Sequence, residues 1–149
     1  MDISTQLENL CQTIYMTHNS IEYYEKYGII ISNKCPLDYE LRDWDFGLSA
    51  AIKNEKTNEW EHYVLFRCYV ETYDIENKYE LNEVIYKNNK FQLKNVSGAC
   101  DIDDYDFEDG EWTIEQVKQS LLKSIAELET LNKHKIIEKR LENLEEDFK

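Results

Sequence analysis

A long amphipathic helix near the carboxyl end constrains the fold more than any other feature of the sequence. Apolar residues recur there every three or four positions, at Ile114, Val117, Leu121, Ile125, Leu128 and Leu131, a spacing that places them on one helical face. Thr113 and Gln116 have the spacing of a capping box and predict where the helix begins. Because a helix with one apolar face must bury it against a second layer of structure, we expect this helix to cover a sheet.

The centre of the chain predicts that sheet. Residues 60–73 alternate between a mostly apolar even-numbered face, expected to meet the core, and a mixed odd-numbered face. Residues 48–53 precede them across a polar turn at 54–58. A second hairpin is predicted for 79–87 and 90–96, because the asparagines between them tolerate the positive φ of tight turns. We therefore expect an antiparallel meander of four or more strands.

The amino-terminal part predicts two helices and a strand. Apolar spacing predicts a helix over residues 4–17, and a shorter one over 21–27 that Gly28 ends. The β-branched residues 29–31 then begin a strand. Together these elements predict an α+β fold: one or two amino-terminal helices, a central meander and a long carboxy-terminal helix packed on the sheet.

A second apolar stripe follows the first one along the carboxy-terminal helix. It consists of Ile137, Leu141, Leu144 and Phe148. For the first stripe to continue, position 135 would have to be apolar, but it is Lys135. We therefore expect a helical segment over 113–148 with a bend or break near 132–135. Two interpretations stay open: the stripe folds back on the domain, or it mediates contact with a second copy, as a homodimer, or with a partner's groove.

Length and composition predict a single folded domain over residues 1–149. A length of 149 residues supports a single core, and 42% hydrophobic residues are too many for a disordered acidic chain. No apolar run approaches the roughly 18 residues of a membrane span, and the amino terminus lacks the pattern of a signal peptide. We therefore expect a cytoplasmic protein without membrane contact.

The net charge of −14 constrains the partners. It disfavours direct binding of nucleic acid, whose affinity for proteins comes largely from Lys and Arg. It favours association with a basic protein, for which a nucleic-acid enzyme is a natural candidate.

The densest acidic segment is the candidate partner-binding site. Its members are Asp101, Asp103, Asp104, Tyr105, Asp106, Phe107, Glu108, Asp109, Glu111 and Trp112. It is either a solvated loop beside the positive end of the next helix or a contact surface in which carboxylates meet an Arg/Lys-rich partner and aromatic rings act as anchors. A calcium loop counted from Asp104 to Glu115 is the third alternative, but Gly110 falls one position too late for an EF-hand.

A possible second contact face lies on the odd-numbered side of the central strand. Tyr63, Tyr69 and Tyr73 would flank Arg67 there. The same side chains could instead pack under another element.

The sequence contains little that indicates a catalytic or metal-binding site. The three histidines lie outside known catalytic signatures, and the E-x-K spacing at 76–78 lies in a predicted turn of a chain without a basic groove. The four cysteines are 24, 33 and 32 residues apart, without a C-x-x-C pair, so free thiols are the simplest interpretation, with disulfides or a metal site assembled from distant residues as alternatives. We therefore expect a non-enzymatic protein without cofactor or metal: an inhibitor of a basic protein such as a host defence nuclease, an immunity protein that neutralises a toxin, or a dimeric assembly module.

Overall fold

Three helices and six strands account for most of the described residues. The computed structural model describes residues 2–36, 44–54, 57–70, 77–87, 90–95, 102–103 and 113–147. The elements are α1 (Ile3–His18), α2 (Ile21–Tyr27), β1 (Ile29–Ser32), β2 (Phe46–Lys53), β3 (Trp60–Val70), β4 (Asn77–Lys87), β5 (Lys90–Asn95), β6 (Ile102–Asp103) and α3 (Ile114–Asp147). This order confirms the predicted α+β fold.

Short capping interactions set the ends of the first two helices. The Asp2 carboxylate accepts a hydrogen bond from the Thr5 N–H at 2.7 Å, and the Ser20 hydroxyl accepts one from the Tyr23 N–H at 3.0 Å. Gly28 ends α2 with a φ of 69°, and its N–H donates to the Tyr24 carbonyl at 2.7 Å. Only glycine adopts this left-handed conformation without a steric cost, so the stop is encoded locally.

The predicted capping box begins α3. The Thr113 hydroxyl accepts from the Gln116 N–H at 3.1 Å, and the Gln116 side-chain oxygen accepts from the Thr113 N–H at 2.8 Å. From there α3 continues for 34 residues to Asp147. The chain is therefore not broken at 132–135, while a bend of the helix axis there stays a prediction.

The sheet is an antiparallel meander. Its strands lie in the order β1-β2-β3-β4-β5, and β6 pairs with the first half of β4. Asn58, in the turn between β2 and β3, has a φ of 63°, which asparagine tolerates better than most residues. Both predicted hairpins are thus present.

An irregularity in β3 changes which side chains meet the core. Ser49 of β2 pairs with Val64 but Leu48 pairs with Phe66, so Leu65 is an extra residue and the strand alternation shifts by one. Phe66 belongs to the core cluster as the even-numbered pattern predicts, whereas ahead of the bulge the odd-numbered Tyr63 belongs to it. The prediction that the even-numbered side chains of this strand meet the core is therefore confirmed after the bulge and wrong before it.

Helices α1 and α3 cover one face of the sheet. From α3, Val117, Leu121, Ile125 and Leu128 are at most 1% exposed, and α1 contributes Leu7, Cys11 and Ile14 to the same cluster. Each such side chain contributes about 1.5–3 kcal/mol by leaving water. The first stripe of α3 therefore secures the helix to the sheet, as predicted.

The sheet also buries side chains outside this cluster. Val64, Arg67, Tyr69 and Asn82 are at most 6% exposed and lie outside the helix-covered core.

In the described part of the chain, no helix is both long enough and apolar enough to cross a membrane.

Candidate protein-binding surfaces

The described structure locates both ends of the acidic segment. Asp103 lies in β6, whose backbone pairs with β4 so that Asp103 is the register partner of Lys78 and Ile102 that of Tyr79. At the other end, Thr113 caps α3. The remaining members of the predicted site, Asp101 and residues 104–112, lie outside the described residues. The calcium alternative, which depends on them, also stays untested.

Tyr79 connects β6 to the rest of the fold. Its ring is 2% exposed, and its hydroxyl lies 2.6 Å from the hydroxyl of Ser4 in α1. The strand that holds the start of the acidic segment is therefore joined to the central core.

The possible second contact face is buried wherever it is described. Tyr63 is 7% exposed, Arg67 6% and Tyr69 4%. Tyr73 lies outside the described residues. Burial of these side chains favours the packing alternative over an open recognition face.

Arg67 is at the centre of a polar network. Its Nε lies 2.6 Å from Glu80 Oε2, and its guanidinium carbon lies 3.8 Å from the centroid of the Tyr69 ring. The Asn82 amide donates to the Val64 carbonyl at 2.8 Å and to Glu80 Oε1 at 3.0 Å. This network bridges β3 and β4 where their backbone pairing ends, so it helps to hold the two strands together there.

A cavity of about 860 Å³ opens between α2, the β2–β3 hairpin, the β4–β5 strands and the second half of α3. Its aromatic lining is Tyr24, Tyr63, Tyr86 and Phe91, and its cationic lining is Lys53, Lys135, Lys139 and Arg140. Sequence reasoning missed this cavity because its walls come from segments far apart in the chain.

Tyr63 contributes a hydrogen-bond donor to this cavity. Its hydroxyl donates to Glu61 Oε2 at 2.9 Å. Burial, followed by this hydrogen bond to a carboxylate, raises the pKa of Tyr63. The phenol therefore keeps its proton to a higher pH than that of an exposed tyrosine.

The inward face of α3 becomes polar where it passes over the cavity. The Asn132 amide donates to the Tyr27 carbonyl at 2.6 Å. One turn further, Lys135 Nζ lies 5.2 Å from the Phe91 ring centroid and 5.6 Å from that of Tyr86, within cation–π range. Lys135 thus takes the place of an apolar residue because it packs against aromatic rings.

The second apolar stripe of α3 lies on the surface. Ile137 is 44% exposed, Leu141 56% and Leu144 53%; Phe148 lies outside the described residues. These three side chains do not fold back on the domain in this structure.

Metal-ligating and thiol groups add no further site among the described residues. Within the described ranges no three His, Cys, Asp or Glu residues lie together as a metal site would require. Cys11, Cys35 and Cys68 are free thiols, and Cys100 lies outside the described residues. Burial raises the pKa of Cys11 to about 12, so this thiol is not a ready nucleophile.

The fold defines the protein as an α+β meander with helices on one sheet face. Comparisons with protein-family models, with curated proteins and with solved structures gave no match. Inference about function therefore rests on charge and geometry.

Proposed function

We propose that the protein is a non-enzymatic inhibitor that binds a basic, nucleic-acid-binding surface of a target protein through residues 101–112. The observation that carries the proposal is seven carboxylates without one base over residues 101–111, in a chain of net charge −14. Surfaces that bind nucleic acid present Lys and Arg to phosphates. A segment dense in carboxylates competes for the same cations.

Aromatic residues within the segment support specific binding. Tyr105, Phe107 and Trp112 alternate with or follow the acids. Charge steers association, whereas most of the affinity at protein interfaces comes from a few hot-spot residues, among which Trp and Tyr are enriched. The composition therefore fits a defined contact better than a purely electrostatic one.

The anchored ends support the proposal as well. Asp103 is held in β6 and Thr113 in the α3 capping box, so residues 104–112 connect two fixed points. A segment with fixed ends loses less conformational entropy when it binds than a free tail does.

Two biological settings fit this activity. In the first, the protein comes from a phage or mobile element and occupies the nucleic-acid channel of a host defence nuclease in the cytoplasm. In the second, it is an immunity protein that neutralises a toxin encoded beside it. We favour the first, and the neighbouring gene distinguishes the two.

A dimeric assembly module is the second candidate function. The observation that favours it is the exposed stripe of Ile137, Leu141 and Leu144, because exposed apolar stripes commonly mark helix–helix contacts.

Matched charge variants test the inhibitor. The first variant carries Asp104→Asn, Asp106→Asn, Glu108→Gln and Asp109→Asn. The control carries Gln at Glu8, Glu22, Glu59 and Glu127, which are exposed. Each set removes four negative charges, from −14 to −10, so only the location of the charge differs.

The assay combines capture and displacement. Tagged protein is used to capture proteins from host lysate at low and high salt, and the captured protein is then loaded with labelled nucleic acid. We expect the natural chain and the control to displace the nucleic acid at one-to-one stoichiometry, and the first variant to need at least tenfold more protein. Binding should weaken at high salt, because screening shortens the Debye length from about 8 Å at physiological salt to about 3 Å at 1 M. Equal potency of both variants, or no captured basic protein, would refute the proposal.

A further inference from the structure

The cavity under the second half of α3 presents an open aromatic ring from α2. Tyr24 lines the cavity and is 41% exposed. Trp60 of β3 supports the Tyr24 ring, because the two ring centroids are 6.2 Å apart. On the sheet side, Tyr86 and Phe91 pack against each other with centroids 5.3 Å apart, and Lys135 already covers both rings. Tyr24 is therefore the ring of the cavity that stays most open to a ligand.

Helix α3 places two lysines between the sheet side and the α2 side of the cavity. The Lys135 ammonium group lies over the rings of the sheet side, whereas Ile136 lies against Gly28 at the end of α2. Successive residues of an α-helix are rotated by about 100°, so Lys139 is turned about 40° from Lys135 toward Ile136. Lys139 therefore points into the space between the two sides, where it lines the cavity.

The charge of the lining differs from that of the whole chain. Four bases and four acids line the cavity, so the net charge of the lining is zero, whereas the chain as a whole carries −14. The acids are Glu25, Glu61, Glu138 and Glu142. The excess of acidic residues thus lies outside the cavity, and an anion meets less repulsion there than elsewhere on the protein.

Three of these four acids are less well placed than the lysines to meet a ligand. Glu61 already accepts hydrogen bonds from the Tyr63 hydroxyl and from the Asn54 amide, each at 2.9 Å. Relative to the first of the two lysines, Glu138 and Glu142 are rotated by about 60° and 20° in the direction away from α2. The space between α2 and the sheet is therefore closer to the lysines than to these carboxylates.

The cations of the lining are available to a ligand. In the described part of the chain, Lys53, Lys135 and Arg140 form no ion pair with a carboxylate. The aromatic rings hold the Lys135 ammonium group in place before a ligand arrives. Because a group that is already ordered loses little entropy on binding, this lysine suits a binding site.

We propose that the cavity binds a small planar aromatic anion, whose ring packs against Tyr24 and whose acidic group meets the ammonium groups of Lys135 and Lys139. The volume of about 860 Å³ lies within the range of about 300–1,000 Å³ that is typical of small-molecule sites, which combine aromatic side chains with a few polar groups. Nucleoside monophosphates and aromatic carboxylic acids share this chemistry. Stacking on an aromatic side chain favours the planar ring, and the lysines favour the anionic group.

The acidic character of the rest of the protein limits the size of the ligand. A nucleic acid strand would extend beyond the cavity over surfaces that carry the excess of negative charge, and its phosphates would be repelled there. A single small anion inside the cavity avoids this repulsion. The inference therefore agrees with the absence of a basic groove for nucleic acid in the sequence.

Isothermal titration calorimetry with small probes tests the site. Adenosine 5′-monophosphate and indole-3-acetate each combine a planar ring with an anionic group, and we expect at least one of them to bind at one-to-one stoichiometry. Adenosine and indole lack the anionic group and ribose 5-phosphate lacks the ring, so these three should bind at least tenfold more weakly. Binding of the phosphate probe alone indicates a nucleotide ligand, and binding of indole-3-acetate indicates aromatic acids. No binding of either anion up to millimolar concentration, or equal binding by the neutral rings or by ribose 5-phosphate, would overturn the proposal.

Matched lysine variants locate the bound anion. Lys135→Gln with Lys139→Gln should weaken binding at least tenfold. The control is Lys118→Gln with Lys123→Gln, because both residues are exposed on the same helix and neither lines the cavity. Each pair removes two positive charges and changes the net charge from −14 to −16, so only the location of the charge differs. Equal affinity of the two double variants would show that the anion does not bind at these lysines.

A second pair of variants tests the ring contact at an exposed position, where substitution leaves the core intact. Tyr24→Ser should weaken binding at least fivefold, whereas Ile21→Ser, at a residue that is 77% exposed on the same helix and outside the cavity, should not. Circular dichroism confirms that each variant is folded. Equal binding by both variants would overturn the assigned geometry. The inference is independent of the proposed inhibition, since the lysine variants leave residues 101–112 unchanged and should displace nucleic acid as the natural chain does.

Discussion

The contact between Gly28 and Asn132 allows a quantitative test of how α3 is held against α2. Gly28 has a φ of 69°, and a methyl group there would lie 2.8 Å from Asn132 Nδ2 and 3.1 Å from Ile136 Cδ1. The same Nδ2 donates to the Tyr27 carbonyl at 2.6 Å. Gly28→Ala should therefore strain the backbone and displace the Asn132 amide.

Each part of this effect has a magnitude. A non-glycine residue in the left-handed region costs about 1–2 kcal/mol, and loss of a typical hydrogen bond costs about 0.5–1.5 kcal/mol. We expect Gly28→Ala to lower the free energy of unfolding by about 2–3 kcal/mol. Asn132→Ala removes the same hydrogen bond and should lower the free energy of unfolding by about 0.5–1.5 kcal/mol.

The double variant distinguishes this explanation from two unrelated losses. Because Asn132→Ala removes the group that the new methyl would displace, the shared loss should count once. The double variant should then be about 1 kcal/mol more stable than the sum of the single effects predicts.

Urea denaturation followed by circular dichroism provides the measurement, with the dependence on urea concentration compared among all four proteins to confirm similar unfolding. Effects that add to within about 0.5 kcal/mol would show that the two residues are not coupled. A Gly28→Ala protein as stable as the natural one would contradict the left-handed conformation itself.

Two further predictions concern buried ionisable groups. Arg67→Met leaves Glu80 partly buried without its cation, so this variant should lower the free energy of unfolding by about 3 kcal/mol. The double variant Arg67→Met with Glu80→Leu should recover part of that loss, because it removes the unpaired charge. A double variant that is less stable in urea than the single one would contradict the role of the ion pair. Burial raises the pKa of the Cys11 thiol from 9.0 to about 12. Above pH 9 the thiol therefore ionises in the unfolded protein but keeps its proton in the folded one. Between pH 9 and about pH 12 this difference should lower the free energy of unfolding by up to about 1.4 kcal/mol per pH unit. Cys11→Ala should flatten this part of the urea stability profile, and an unchanged slope would show that Cys11 ionises in the folded state.

Features encoded by neighbouring residues were predictable. The capping box of Thr113 and Gln116 forms as its spacing predicts, and Gly28 ends α2. The first stripe of α3 is buried and both hairpins are present. The caps and hairpin turns depend on interactions within a few residues of sequence, and the stripe needed only helical periodicity to define its apolar face.

Features that depend on contacts between distant segments were not predictable from the sequence. The extra residue Leu65 changes the parity of β3, because strand register is decided by pairing with β2. Arg67 and Tyr69 looked suitable for an exposed face, but the fold buries them with Glu80. Mixed polar and aromatic positions suit either environment, so composition alone could not choose.

The candidate sites divide in the same way. The acidic segment and its alternation with aromatic residues are evident from sequence, and the structure adds that β6 and Thr113 hold its ends. The cavity under the second half of α3 has no sequence signal, because its walls come from α2, four strands and α3.

The second stripe of α3 separates what the sequence determined from what only the tertiary structure decided. Spacing alone established that Ile137, Leu141 and Leu144 share one helical face that is out of phase with the first stripe. Whether that face turns inward depended on the continuity of α3 through Asn132 and on which face of the helix the sheet had already covered. Local periodicity specifies a face, whereas only the packing of distant elements specifies its direction, and here it points to solvent.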